Sequence, residues 1–224
     1  MIKAGRALGA LLALCLVPLS ASVAKAPATR DWSKTYWQSS AGGFGMGSPT
    51  ARLKVIEYGS LTCPHCRHFA QDAVSPFVSR YVRSGRASYE FRPMVLNAQD
   101  LAATLIARCG GPSRFFPLAA TLYATQPVWT AREIALPDGI ADQQIPLKVA
   151  QDAGLLPVAS AGGIAPAAAR SCLTSEPAQL RLSAMYQAAL DAGVPGTPAI
   201  MINGKLTPVW DWKTLQEQLR KAGS

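Results

Sequence analysis

Charge is sparse in this chain and nowhere concentrated. Only 16% of the 224 residues are charged, and the 22 lysines and arginines that outnumber 13 acidic residues form no block and no stripe alternating with aromatics. A nucleic-acid partner needs a concentrated basic footprint, so none is expected, and the charge reads as a mildly cationic, solvated surface. Beyond the N-terminus no apolar run reaches the ~20 residues of a membrane-spanning helix. No internal repeat is visible. The stretch Gly42-Gly43-Phe44-Gly45-Met46-Gly47 is rich in glycine, yet no Gly-Lys-Ser/Thr closes it and no helical pattern follows. It reads as an extended leader or short hairpin and not as a nucleotide site. A second Cys-x-x-Cys is also missing.

What is present is Cys63-Pro64-His65-Cys66, placed after the apolar run 53–58 and at the head of a helical pattern from Arg67 onward. Two thiols three positions apart at a helix start can close into a small disulfide. The unpaired N–H groups and positive dipole end of the first turn favour the thiolate of the first cysteine. His65, between them, offers a hydrogen bond or positive charge that lowers the Cys63 pKa below the ordinary ~8.5. A low-pKa thiolate leaves readily, so the oxidised pair is expected to pass its disulfide on through a mixed disulfide at Cys63.

Two other chemistries use such residues. Zinc would take Cys63, His65, Cys66 and His68, but these fall within six consecutive residues. One helical turn cannot easily aim all four at a tetrahedral metal. Attached c-type haem needs His directly after the second cysteine, where this chain has Arg67. Neither metal nor cofactor is expected, and His68 reads as a partly exposed helix residue.

The N-terminus carries Lys3 and Arg6, a mostly apolar stretch at 7–19, and Ala24-Lys25-Ala26. That order reads as a secretory signal over residues 1–26, and an exported, periplasmic protein is expected; an uncleaved anchor is the alternative. Cleavage there discards Cys15 and leaves 19 basic residues (22 less Lys3, Arg6 and Lys25) against 13 acidic ones, a net +6. It also leaves four cysteines. If Cys63 and Cys66 are catalytic, Cys109 and Cys172 are left to one another as a structural disulfide; the alternative is two buried free thiols.

Along the chain, 53–58 reads as a strand, 66–82 as a helix kinked at Pro76, and 88–95 as a second strand. Asn97 is an N-cap, after which helical spacing dominates to about Asp191, broken at Gly110-Gly111-Pro112, Pro127, Pro137-Asp138-Gly139, Gly154 and Gly162-Gly163. A strand at 197–203, a turn at Asn203-Gly204, a return strand at 205–209 and a helix capped by Asp211 close the sequence.

These residues resemble the DsbA-like thiol:disulfide oxidoreductases of the thioredoxin-fold superfamily. Cys63-Pro64-His65-Cys66 is similar to the DsbA active-site sequence. Gly196-Thr197-Pro198 looks like the cis-proline loop, and Glu57, six positions before Cys63, stands where thioredoxins keep a buried acid. The resemblance covers about residues 50–222. It implies an α/β fold: a thioredoxin-like domain in two halves, 50–96 and 181–224, a helical insertion at 97–180, and a leader at 27–49.

It further implies that cis Pro198 brings the Thr197 backbone against the active site, where it pairs with an extended substrate; a trans proline in an ordinary turn is the competing reading. Glu57 would be desolvated, raised in pKa, and relay a proton to or from Cys66, unless it is an edge-strand carboxylate in water. Implied partners are reduced or unfolded secreted proteins and a membrane redox partner that resets the cysteine pair. Thr197 departs from the oxidase pattern, which has a β-branched apolar residue before the proline, and resembles the disulfide isomerases. With only about 24 residues between the cleavage site and the first strand, no N-terminal dimerisation domain is seen and a monomer is expected. Oxidase is favoured over isomerase or reductase; a non-catalytic peptide-binding module and a metal handler are the readings from other classes.

Overall fold

The computed structural model describes Met1, Ile2 and residues 30–223. The signal-like segment, with Lys3, Arg6, Cys15 and the site at 24–26, lies outside those residues. Six strands form one sheet: β1 (Tyr36–Gln38), β2 (Phe44–Gly47), β3 (Leu53–Gly59), β4 (Ala87–Pro93), β5 (Ala199–Ile202) and β6 (Lys205–Thr207), in the order β1-β2-β4-β3-β5-β6. The parallel pair β3 and β4 lies at the centre, and the other neighbours are antiparallel. Both central strands are largely buried, as a parallel pair covered on both faces requires.

The glycine-rich stretch is the second strand of a hairpin that pairs onto β4, so residues 36–47 belong to the sheet and not to a separate leader. Its glycines answer close packing. A side chain at Gly45 would strike the Trp37 ring and one at Gly43 the Glu90 carboxylate, while Trp37 Nε1 donates to the Gly47 carbonyl at 3.2 Å. At the opposite edge, Asn203 and Gly204 both take left-handed backbone conformations, φ 52° and 80°, which the two-residue turn between β5 and β6 demands. Asn203 also ties back to β3 through the Lys54 N–H at 2.9 Å.

The helix opening with α1 (Pro64–Phe69) continues through residues 70–74, α2 (Ser75–Phe77) and residues 78–82, with wider π-type turns on both sides of Pro76. The expected kink is thus spread over two loosened turns. Proline removes one ladder donor and crowds the preceding turn, and buried Phe69, Ala73, Phe77 and Val82 hold the segment against the sheet.

After β4 come α3 (Ala98–Cys109), α4 (Pro112–Trp129), α5 (Ile145–Asp152), α6 (Leu155–Ala161), α7 (Pro166–Leu173) and α8 (Glu176–Asp191), and after β6 the closing α9 (Trp212–Gly223). Asn97 and Asp211 cap as expected, accepting the Asp100 and Thr214 N–H groups at 2.9 and 2.7 Å. Helix α4 runs through Pro127, where a break was expected. Buried Gln126 and Trp129 anchor that last turn, and Trp129 Nε1 donates to the Leu122 carbonyl at 2.9 Å. The boundary at 180/181 falls inside α8, which Ser175 caps and Leu182, Met185 and Ala189 bury along one side, so the helical layer ends at Asp191.

Two main cores result. One lies between the sheet, the 64–82 helix and α9. The other fills the helical layer and includes Leu61, Cys63 and Cys66, so the insertion packs directly behind the cysteine pair. Cys109 and Cys172 are disulfide-bonded, with Cα atoms 5.8 Å apart across 63 positions, joining the end of α3 to α7. In the chain-entropy account a loop that long restrains the unfolded state by about 4 kcal/mol. Replacing both cysteines with alanine should therefore lower the melting temperature while leaving turnover at Cys63 largely intact. An unchanged melting curve, or a loss of turnover at unchanged stability, would refute the bracing role.

Candidate active site

Cys63 is the N-cap of α1: its sulfur accepts the Cys66 N–H at 3.4 Å. Pro64 occupies the first helical position, where its missing N–H costs nothing. The Cys63 pKa is lowered to about 5, foremost by the Cys66 thiol, which hydrogen-bonds to its sulfur, then by the Thr197 hydroxyl and the backbone N–H groups of Cys66 and His65; partial burial opposes them. His65 thus acts through its backbone, with its imidazole exposed like the side chains of Pro64 and His68.

Cys66 is fully buried, and that burial pushes its thiol far up, helped by Cys63 and by Glu57. The two sulfurs are therefore unlike: one is held as a thiolate, the other as a thiol. Glu57 sits on the central strand, in register with Phe91 and Ile200, and is 1% exposed. Desolvation raises its pKa to about 7, against a hydrogen bond from the Tyr89 hydroxyl. Its Oε1 is buried without a partner. The edge-strand reading of Glu57 does not hold.

The Thr197–Pro198 peptide is cis. The Thr197 carbonyl accepts from Cys63 Sγ at 3.3 Å when that sulfur is protonated, while the Thr197 hydroxyl favours the thiolate. Thr197 is thereby brought against Cys63, with cis Pro198 directly after it, whereas the Cys109–Cys172 bridge belongs to the helical layer, apart from this constellation.

Three residues of the insertion that motif reading does not single out hold the loop before α1. Asp100, fully buried, accepts the Leu61 N–H at 2.8 Å and the Leu96 N–H at 3.0 Å. Gln126 donates to the Leu61 and Cys63 carbonyls at 2.7 and 3.0 Å, and the Tyr123 hydroxyl to the Ser60 carbonyl at 3.2 Å. The available sequence signal was a polar residue amid apolar helical spacing, an aspartate three positions after an N-cap and a glutamine beside a proline. Neither marks burial by itself. Among the described residues, no group of three or more His, Cys, Asp or Glu side chains is placed to hold a metal ion, and no helix is long and apolar enough to cross a membrane.

An activated cysteine at a helix start, a buried partner thiol beside a buried acid, and a cis-proline loop against the first sulfur define a dithiol protein on a thioredoxin fold. The chain belongs to the thioredoxin family, whose model matches residues 39–222. A Rickettsia prowazekii protein provisionally named protein-disulfide oxidoreductase is 27% identical over 181 residues, 79% of this chain and 60% of its own. A Rickettsia conorii counterpart is 26% identical over 182 residues, 79% and 59%. The chain thus spans about three-fifths of the length of these curated relatives. The crystal structure of a protein-disulfide isomerase from Novosphingobium aromaticivorans aligns with a TM-score of 0.70 at 28% identity, over 80% of this chain and 97% of that one. Wolbachia pipientis alpha-DsbA1 aligns at 0.68 and 19% identity, over 83% and 94%, a likeness of fold.

Two measurements test the electrostatics. Thiolate ultraviolet absorbance of the reduced protein should titrate near pH 5. Thr197→Val should move that midpoint up by about one to two pH units, since a hydrogen bond to a charged acceptor is worth about 1.5–3 kcal/mol. An unmoved midpoint with slower exchange would show that Thr197 acts by access alone.

The second concerns Glu57. Its folded pKa of about 7 lies above the ordinary 4.5, so the native state holds a proton that the unfolded chain has released. The associated stability is complete below about pH 4.5 and is lost as pH rises through 7. Asp100, raised to about 6, acts in the same sense over a lower range. In the oxidised protein, where Cys63 does not titrate, stability should fall across this window. Glu57→Gln should remove the part above about pH 6, read from melting curves at stepped pH; an identical slope in the variant would contradict the assignment.

Proposed function

We propose that the protein is a dithiol:disulfide oxidoreductase that donates the Cys63–Cys66 disulfide to reduced secreted proteins in an oxidising, periplasmic compartment. The observation that carries this reading is the contrast between the two sulfurs, with Cys63 lowered to about 5 and Cys66 buried and raised. A substrate thiolate attacks Cys63 Sγ, the Cys63–Cys66 bond breaks, and Cys66 leaves and takes up a proton, for which Glu57 is the nearby buried source. A second substrate thiolate then attacks the substrate sulfur of the mixed disulfide and releases Cys63 as a stable thiolate. The substrate is oxidised by two electrons and the protein reduced. Stabilising the leaving thiolate makes the donor more oxidising.

The Thr197 carbonyl beside Cys63 supports recognition by added backbone pairing, tolerant of sequence. The apolar N-terminal segment and the Cys109–Cys172 bridge support export, and a membrane redox partner of matching dithiol chemistry would restore the disulfide. We take the working form to be a monomer. Isomerase activity is the second reading, favoured by the Thr197 hydroxyl at the Cys63 sulfur and by the likeness to the Novosphingobium isomerase.

Cys66→Ser, offered substrates that already carry a disulfide, should accumulate mixed disulfides, because the Cys63 thiolate attacks the substrate disulfide, expels one substrate thiolate and has no second thiol to resolve the bond; these are seen as higher-mass species in non-reducing gels, and Cys63→Ser should not form them. The reverse pattern would overturn the assignment of nucleophile and resolving thiol. A redox titration of the pair against glutathione, together with oxidation of a reduced substrate and repair of a scrambled one, separates the two readings: a reducing potential with efficient repair would replace the donor reading by the isomerase one.

A further inference from the structure

Apart from the exchange site, a cavity of about 350 Å³ opens where the end of α3, α7 and the start of α8 meet the β1–β2 hairpin. Its wall includes Gln38, Phe44, Arg108, Ser171, Ser175 and Arg181, together with the Cys109–Cys172 bridge, and no acidic side chain. The volume lies at the small end of the range for ligand sites.

Arg108 is the unusual member. Its Nη2 donates to the Gly42 carbonyl at 2.8 Å and its guanidinium carbon stands 3.9 Å from the centre of the Phe44 ring, so the group is fixed in place. Its Nη1 is buried with no acceptor. Neither Arg108 nor Arg181 belongs to an ion pair among the described residues. Burial, and the like charge of Arg181, lower the Arg108 pKa to about 10. A half-buried guanidinium beside a second cation, in a wall without any carboxylate, is an unfavourable arrangement unless an anion completes it. The N-terminus of α8, a 16-residue helix capped by Ser175, adds its positive dipole end at the same wall.

We propose that this cavity binds a small oxyanion, a molecule bearing a phosphate or carboxylate group, held between the guanidinium groups of Arg108 and Arg181. The exposed Arg181 fork suits such groups because two parallel N–H donors match two oxygens, the fixed Arg108 adds positive charge at the same wall, and the space left beside Phe44 accommodates a small body attached to the anion. This site is independent of the disulfide chemistry at Cys63.

Calorimetric titration of the full-length protein with inorganic phosphate and with citrate, each at fixed ionic strength and with chloride as the control, tests the assignment. Saturable binding of at least one oxyanion is expected, and the tighter of the two identifies the phosphate or the carboxylate class. Arg181→Gln, an exposed substitution that removes no hydrogen bond of the fold, should weaken that binding roughly tenfold or more. Arg108→Gln removes the second charge and should weaken it as well; if that variant does not fold, Arg181→Gln decides alone. The absence of saturable binding of either anion, or equal affinity in wild type and Arg181→Gln, would overturn the proposal.

Discussion

The Cys63 sulfur accepts the Cys66 N–H at 3.4 Å, and in doing so it replaces the side-chain oxygen that ordinarily caps a helix. A cap of this kind makes charge on sulfur part of the secondary structure. The first turn of α1 has N–H groups that need an acceptor, and a thiolate satisfies them better than a thiol. Reduction of the pair therefore yields a form in which the negative charge is already solvated by the backbone. The rest of the molecule keeps this turn in place and keeps the second sulfur from sharing its advantage.

Holding the turn is the work of the helical insertion. Residues 60–63 precede α1 as a short loop whose polar backbone groups face the protein interior, where an unpaired carbonyl or N–H would cost about 1–3 kcal/mol. Asp100 takes the Leu61 N–H, Gln126 fills the Leu61 and Cys63 carbonyls, and Tyr123 that of Ser60. These three side chains come from α3 and α4, which in turn share one apolar core with Cys63 and Cys66. The insertion thus fixes the geometry of the reactive loop from behind while leaving the front to the cis-proline loop.

How far the sequence revealed this follows from the range of each interaction. The strand before Cys63, the helix after it, the Asn97 and Asp211 caps and the Asn203-Gly204 turn depend on neighbours within a few residues, and all were legible. So was the cysteine pair, because its chemistry is local. The hairpin pairing onto β4 and the unbroken α4 depend on partners 30 to 50 positions away or more, as with Ser39 and Glu90, linked across 51 positions at 2.6 Å. Asp100 and Gln126 were missed for the same reason: a polar residue in a helical pattern looks solvated until the loop it serves is placed beside it. At His65 the motif left open which group acts on the sulfur, and it is the backbone N–H that helps lower the Cys63 pKa.

Glu57 carries the asymmetry between the sulfurs one step further. A carboxyl on the central strand, with one oxygen bonded by Tyr89 and the other unpartnered, resists ionisation because burial leaves its charge desolvated. The same apolar surroundings that hold Glu57 near neutrality hold Cys66 as a thiol, and ionising either one raises the cost of ionising the other. One proton is therefore more stable than none in this pocket, which suits the proton relay to Cys66 proposed above. Cys63 needs no such source, since its charge is met by the helix start and the Thr197 hydroxyl. Burial on one side of the first turn of α1 and N–H donors on the other are sufficient to divide two identical side chains into one that stays a thiol and one that holds charge.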